Sequence, residues 1–234
     1  MPLAKQSFVR AAQVDAAGLP NLSTRLVKVS FGLNYDLQVL GTDRADDQLA
    51  VEIAQRRQRE PLGFDETRGA LVPEKRYEYR RLFFNLDTKA HVASTPGAKR
   101  DLSVFLELLR RCGATEMEFS DLVVDLLPWA ESLLKLYETA QLGGLVLDQF
   151  YAEPRLIGRF SAKTVDNRLD LKALANAPGK LRSLRLGFFY EGLRRSVEAR
   201  FDGVLSVTSN DEDDLPAFLA EQQKLYLKHA TGSE

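Results

Sequence analysis

An internal similarity is the feature of this sequence that most constrains its fold. Residues 79–111 and 193–224 pass through the same succession of patterns. Each segment opens with paired arginines, continues as an apolar run typical of a strand, turns at an aspartate and gives a short second strand. Each then closes with a helix that begins Asp-Leu-x-x-Phe-Leu, at Asp101 or Asp214. Because repeated supersecondary units bury their apolar faces against neighbouring units, this similarity predicts two related hairpin–helix modules.

The rest of the chain has the pattern of an α+β protein. Short apolar runs bounded by Gly, Asn, Asp or Pro alternate with stretches of helical periodicity. We therefore predict antiparallel hairpins backed by helices, with the two related modules among them. The predicted strands are 26–31, 35–40, 76–86, 89–94, 115–124, 145–151, 156–163, 181–190, 193–201 and 204–208. The predicted helices are 48–57, 99–111, 128–141, 168–176 and a last one that Asp214 begins.

Apolar periodicity also predicts the core. In the helix 99–111, Leu102, Phe105 and Leu106 fall on one face. The run 82–86 is apolar on both faces, which is typical of a strand covered on both sides. The predicted core residues are Phe83, Phe84, Leu102, Phe105, Leu106, Trp129 and Phe188.

One stretch interrupts the alternation of strands and helices. Residues 59–74 contain two prolines and two glycines and show no periodicity. We expect a loop or linker there, because structureless connections of that length are uncommon unless they are mobile or functional. It would separate an N-terminal hairpin–helix unit, residues 1–58, from a main α+β unit, residues 75–234.

Charged residues occur in alternating blocks, although the net charge is only −1. Residues 55–111 carry 13 Lys/Arg against 8 Asp/Glu, and residues 154–200 carry 11 against 4. The intervening residues 112–153 carry 1 against 8, and residues 201–234 carry 2 against 7. Such blocks attract one another within a fold or across a homo-oligomer, or they form a bipolar surface whose basic side meets an acidic partner.

The sequence favours a cytoplasmic location. Its N-terminus lacks the continuous apolar stretch of a secretory signal, and no apolar run approaches the roughly 20 residues of a membrane span. The single cysteine, Cys112, excludes an internal disulfide, which fits a reducing compartment. We expect no membrane partner.

Few residues have the pattern of a catalytic site. No Gly-rich phosphate loop occurs, and His91 and His229 show none of the spacings of a metal centre. Cys112 follows a helix end, where the dipole disfavours a thiolate. The acidic run 211–214 is better explained as the start of a helix than as a calcium loop. We assign no catalytic residue, no metal ligand and no cofactor, and we favour a protein that is not an enzyme.

A metal-dependent nuclease is the third-ranked alternative. Two Asp-x-Lys triplets, at Asp87 and Asp170, are similar to the acid-x-lysine element with which such enzymes hold Mg²⁺ and steady the attacking water. The first triplet also has the composition of a hairpin turn, which leaves both interpretations open.

Basic strands support the leading functional hypothesis. If Leu184, Leu186 and Phe188 face the core, period-two alternation directs Arg185 outward, and Arg194 and Arg200 follow on the next strand. Arginine and serine on a sheet face are competent to contact phosphates. We predict binding to nucleic-acid backbone, through Arg80, Arg81, Arg182, Arg185, Arg194, Arg195 and Arg200.

The alternative hypothesis is a protein-binding or assembly subunit. In that case the basic and acidic blocks would pair between subunits, and a homo-oligomer is possible. An acidic isoelectric point of about 6.2 favours this alternative over nucleic-acid binding.

Overall fold

The computed structural model describes residues 5–14, 22–31, 36–114, 118–153, 156–163, 176, 179–211 and 213–231. The helices in these ranges are α1 (Leu22–Leu26), α2 (Lys99–Arg111), α3 (Leu126–Leu136) and α4 (Leu215–Leu227). The strands are β1 (Lys5–Val14), β2 (Leu37–Ala45), β3 (Gln48–Arg59), β4 (Leu62–Asp65), β5 (Ala70–Pro73), β6 (Arg76–Asp87), β7 (Val92–Thr95), β8 (Phe119–Asp121), β9 (Val123–Val124), β10 (Gln141–Glu153), β11 (Leu156–Lys163), β12 (Lys180–Tyr190), β13 (Leu193–Arg200), β14 (Val204–Ser209) and β15 (Ala230–Thr231). The α+β class with antiparallel sheets is confirmed.

The chain divides into two compact units at positions other than the predicted linker. One unit is Val14–Phe119, and the other combines Met1–Gln13 with Ser120–Glu234. No helix in the described ranges has both the length and the apolar composition that crossing a membrane requires.

In the Val14–Phe119 unit, an antiparallel sheet in the order β7-β6-β3-β2 packs against α2. The helix has the bounds that the sequence predicts, and Leu102, Phe105 and Leu109 are buried on its inner face. The ring of Phe105 stacks on that of Phe84, with centroids 4.5 Å apart. Asp101 accepts a hydrogen bond from the Ala98 amide at 2.7 Å, which satisfies an otherwise unpaired donor at the helix start.

The helix predicted over 48–57 is wrong, because this segment is strand β3. Its residues Leu49, Val51 and Ile53 are buried at period two, and every residue of the strand pairs with β6. The acidic pair before it forms a two-residue turn between β2 and β3, with Asp46 at φ 49°. A run of aspartates thus made a hairpin turn where the sequence suggested a helix start.

The first predicted hairpin is also wrong. Its first strand, 26–31, begins in the last residue of α1, and its second strand overlaps only the beginning of β2. Residues 32–35, where the predicted turn falls, lie outside the described ranges.

The expected loop 59–74 contains a hairpin. Strands β4 and β5 pair from Leu62↔Pro73 to Asp65↔Ala70, in the same register as β3 and β6, whose last pair is Arg59↔Arg76. Between the two pairs of strands, the Glu74 amide donates to the Pro61 carbonyl at 2.9 Å. Four strands therefore form one long continuous hairpin, and its prolines interrupt the strands without ending the pairing.

In the other unit, an antiparallel sheet runs in the order β11-β10-β12-β13-β14-β1. The meander β12-β13-β14 matches the predicted strands within a residue or two at each end. Its second turn has three residues, not the two predicted, because Arg200 pairs directly with Val204. Gly203 in this turn has φ +80°, and a Cβ there would lie 2.4 Å from the Ala11 carbonyl oxygen of β1.

Helices α3 and α4 belong to the same unit. Trp129 is buried as predicted, and Leu133 and Tyr137 are buried with it. Helix α3 ends at Leu136, before the predicted end at 141, and Gly143-Gly144 lies within β10. After α4, Ala230–Thr231 pair with β9. The helix predicted over 168–176 lies outside the described residues except for Asn176.

One predicted core residue is exposed. Phe83 lies on the face of β6 opposite Leu82, Phe84 and Leu86, so only one face of this strand is covered. Phe84, Phe105, Trp129 and Phe188 are buried as predicted, and so is Leu102, whereas Leu106 is only partly buried.

Candidate functional site

Two of the arginines predicted to contact nucleic acid each join a strand to the beginning of a helix. The two terminal nitrogens of Arg80 donate to the two carboxylate oxygens of Asp101, each at 2.7 Å, and Asp101 is completely buried. Bidentate pairs of this kind are directional as well as strong. Arg80 therefore joins β6 to the first turn of α2.

Arg195 makes the equivalent contact in the other unit. Its side chain is only 2% exposed and forms an ion pair with Asp214, the residue before α4. Its guanidinium carbon lies 4.8 Å from the ring centre of Tyr190 and 4.6 Å from that of Phe218, within cation–π range. Arg195, although among the arginines predicted to contact nucleic acid, lies on the buried face of β13 with Val197 and Ala199.

Three further predicted arginines pair with acidic residues on the surface. Arg81 donates to Glu52 at 2.6 Å, and the Nε of Arg200 donates to Asp202 at 2.9 Å. Arg182 pairs with Asp148, which also accepts from Arg159 at 2.7 Å. These hydrogen bonds, from Arg159 and Arg182, lower the pKa of the Asp148 carboxyl.

These ion pairs link neighbouring charge blocks within the chain. Arg182 and Asp148 come from the basic block 154–200 and the acidic block 112–153, and Arg195 and Asp214 join 154–200 to 201–234. The interpretation that the blocks attract one another within the fold therefore accounts for these contacts.

Arg185 and Arg194 remain as exposed cations of the predicted set. Arg185 donates to Ser196 at 3.2 Å, and no acidic residue in the described ranges forms an ion pair with Arg185 or Arg194. They lie on the paired strands β12 and β13, at the registers Arg185↔Glu198 and Phe189↔Arg194.

The nuclease elements show no catalytic arrangement in the described ranges. Asp87 accepts from the amides of Lys89 at 3.0 Å and Ala90 at 2.8 Å, which is the hydrogen bonding of a turn residue. Asp170 lies outside the described residues. Within those residues, no three His, Cys, Asp or Glu side chains cluster as metal ligands would.

A serine–histidine contact near the C-terminus has a structural explanation. His229 Nε2 lies 3.1 Å from Ser132 Oγ, but that hydroxyl donates to the Pro128 carbonyl at 2.9 Å. A hydroxyl bonded to its own helix backbone is typical of a helical serine. Cys112 is buried, and burial raises the pKa of its thiol, which disfavours the reactive thiolate.

The most distinctive surface is one that the sequence-based predictions did not include. Strand β2 pairs with β3 only as far as Gln55, and β7 pairs with β6 only at Asn85–Asp87. Residues 56–79, here called the arm, thus form a two-stranded hairpin that no third described strand extends. Isolated two-stranded hairpins are marginally stable in water unless an apolar face is covered.

One face of this long hairpin carries large apolar side chains in water. Residues two apart on a strand, and partners directly across, share a face, and the register is unbroken from β3 and β6 into β4 and β5. By that rule six side chains lie on the face opposite the core, and they are 49–64% exposed. They form the outer stripe, which consists of Leu62, Phe64, Leu71, Tyr77, Tyr79 and Phe83.

The charges beside the outer stripe are paired within the chain. The Nε of Arg56 lies 3.4 Å from Oδ1 of Asp36, and the guanidinium carbon of Arg56 is 5.0 Å from the ring centre of Tyr77. On the opposite face of the arm, Arg59 pairs with Glu78 at 2.8 Å. Lys75 and Glu60 face each other across the hairpin on the same face as the stripe, so basic and acidic residues beside the stripe balance in number.

A period-two signal for the stripe was present in the sequence. Tyr77, Tyr79 and Phe83 occupy alternate positions, and Leu62 and Phe64 do so on the other strand. Because Phe83 was assigned to the core and 59–74 to a loop, this alternation was not recognised.

No protein-family model matches the sequence, and no curated protein matches it significantly.

Proposed function

We propose that this protein is a non-catalytic assembly subunit that binds a protein partner through the outer stripe. The observation that carries the proposal is the alignment of six exposed apolar side chains on one face of a single hairpin. Exposed contiguous apolar patches on soluble proteins mark interaction sites.

The composition of the stripe supports a protein partner. Tyrosine, phenylalanine and arginine are enriched in protein interfaces, and Tyr77, Tyr79 and Arg56 stand together here. The neighbouring Arg56 and Arg81 are both paired with carboxylates, which weakens their attraction for phosphates.

Nucleic-acid binding is the second candidate, on a reduced set of residues. Arg185 and Arg194 favour it, because both are exposed and neither has an acidic partner in the described ranges. If only these two residues contacted phosphates, the binding constant would depend weakly on salt. The slope of log K against log salt concentration would be roughly one unit per phosphate contact.

The first experiment places a photo-crosslinking amino acid at Tyr79 in the cell, with Glu78 as the matched control. The two positions are adjacent and exposed but lie on opposite faces of the arm. The proposal predicts discrete protein adducts from position 79 and few from position 78. Adducts to nucleic acid from position 79, or equal adducts from both positions, would contradict it.

We also propose that the two hairpin–helix modules are related. In each, an arginine of the first strand pairs with the aspartate at the helix start, Arg80 with Asp101 and Arg195 with Asp214. The following Leu and Phe of the shared pattern are buried in both helices. One arginine of each pair thereby has a role in the fold, the first of the pair in one module and the second in the other. A cytoplasmic location stays a proposal that rests on the single cysteine.

A further inference from the structure

We propose that the partner of the outer stripe is a second copy of this chain, packed face to face about a two-fold axis near Tyr77. This inference rests on the proposed function and names its partner. In such an arrangement the tip of each arm covers the base of the other.

The order of side chains along the stripe is suited to two-fold symmetry. Leu71 and Phe83 lie at equal numbers of residues before and after Tyr77 on the β5–β6 side of the hairpin. An axis at Tyr77 therefore brings Leu71 of one copy onto Phe83 of the other, and the same contact forms again on the far side. Isologous interfaces require this self-complementarity, and two-fold dimers are the commonest oligomers.

The charges of the stripe also favour a copy of the same surface. Two copies carry the same charges, so an unbalanced surface would repel itself. On this face Arg81 pairs with Glu52 and Arg56 with Asp36, and Lys75 stands across the hairpin from Glu60, so basic and acidic residues are equal in number. A partner with a strongly charged surface would find no complementary field on this face.

The exposed area is close to what a stable dimer needs. A large side chain presents about 150–250 Å² when free, so six that are half to two-thirds exposed offer on the order of 600 Å². Standard interfaces bury about 800 Å² on each partner, including the polar rim. The stripe would thus supply most of the apolar centre of one such interface.

Sedimentation equilibrium of the purified full-length chain tests the pairing. We expect a concentration-dependent dimer, with its dissociation constant raised at least about tenfold by Leu71→Glu, because the new carboxylate would be buried against Phe83 of the partner subunit. Ala70→Glu is the matched control, since Ala70 is exposed and adjacent but lies on the opposite face. It should leave the dissociation constant unchanged.

A charge-pair rescue tests the two-fold geometry. Leu71→Glu and Phe83→Lys should each weaken the dimer, whereas a chain with both changes should recover it, because each new carboxylate faces a new ammonium group of the partner. Circular dichroism checks that every variant is folded. Failure of the double variant to dimerise, while the folded wild type does, overturns the antiparallel packing.

A wild-type chain that stays monomeric at about 100 μM overturns the second copy as partner, since interfaces of this size normally hold at micromolar concentrations. The crosslinking experiment then separates the two proposals. Adducts of position 79 to a different protein would keep the proposed function while removing self-pairing, and the absence of any adduct would remove both.

Discussion

At the scale of single residues, adjacent arginines have opposite roles. Arg194 is exposed, whereas Arg195 is buried between two aromatic rings and paired with Asp214. The alternation of Val197 and Ala199 was sufficient to direct Arg195 inward. Its partner could not be predicted, because only the packing of α4 on the sheet brings Asp214 to it.

Replacing Arg195 should therefore destabilise the protein. Arg195→Ala removes the ion pairs with Asp214 and Glu191 and two ring contacts, so the Asp214 carboxylate loses its arginine. We expect a loss of about 2–4 kcal/mol in the free energy of unfolding, below the ~3–5 kcal/mol of a fully buried pair because Asp214 reaches solvent. Arg194→Ala, the control, should cost less than about 0.5 kcal/mol. Equal losses in urea denaturation would refute the buried contact.

Asp148 predicts a pH dependence of stability. Hydrogen bonds from Arg159 and Arg182 lower its pKa in the folded protein, so its stabilising effect is complete above the unfolded pKa of about 3.9. This effect is lost as the pH falls through the lower folded value. The stability difference between wild type and Asp148→Asn should thus be constant near pH 7 and shrink below about pH 4. A difference that grows on acidification would be inconsistent with this assignment.

At the scale of elements, the sequence predicted those that local signals specify. Helix α2 has a strong apolar face, and the meander β12-β13-β14 has clear turns, so both were located correctly. Strand β3 was misassigned because the aspartates that precede it matched a helix start, and only pairing with β6 decides in favour of a strand. The arm was missed for the same reason. The pairing of β4 with β5 continues the register of β3 and β6 past two prolines, and local sequence patterns do not show such long-range register.

Two phenylalanines distinguish the covered face of β6 from the open one. Phe105→Ala, in α2, should cost about 3–5 kcal/mol because its ring is fully buried against Phe84. Phe83→Ala should cost less than about 1 kcal/mol, because half of the side chain is already in water. Chemical denaturation measures both, and a large loss for Phe83 in a monomeric sample would place that residue in the core.

The turn between β13 and β14 requires glycine. Gly203→Ala combines a positive φ with a Cβ in contact with the Ala11 carbonyl, so we expect a loss of at least about 1–3 kcal/mol. Gly41→Ala is the control, because a Cβ there meets nothing within 4 Å. Thermal unfolding should therefore separate the two variants clearly, and similar midpoints would contradict the close approach of β1 to this turn.

At the scale of the whole molecule, the alternating charge blocks form ion pairs within the fold, whereas the apolar stripe is the surface that we propose for binding. The ion pairs Arg182–Asp148 and Arg195–Asp214 each join a residue of a basic block to a residue of an acidic block. The surface that we propose for binding is instead the outer stripe, with its exposed rings. Composition alone indicated the blocks, but it did not indicate which of their charged side chains would form ion pairs within the fold.

Radical footprinting in intact cells tests the central claim, that a protein covers the outer stripe, most directly. Phe64 in the stripe and Phe189 outside it are 64% and 60% exposed in the isolated chain, so the same residue type is compared at the same accessibility. We predict that Phe64 is oxidised several-fold more slowly than Phe189 in cells, and that the two rates converge in dilute purified protein. Equal oxidation of Phe64 and Phe189 in cells would show that nothing covers the stripe.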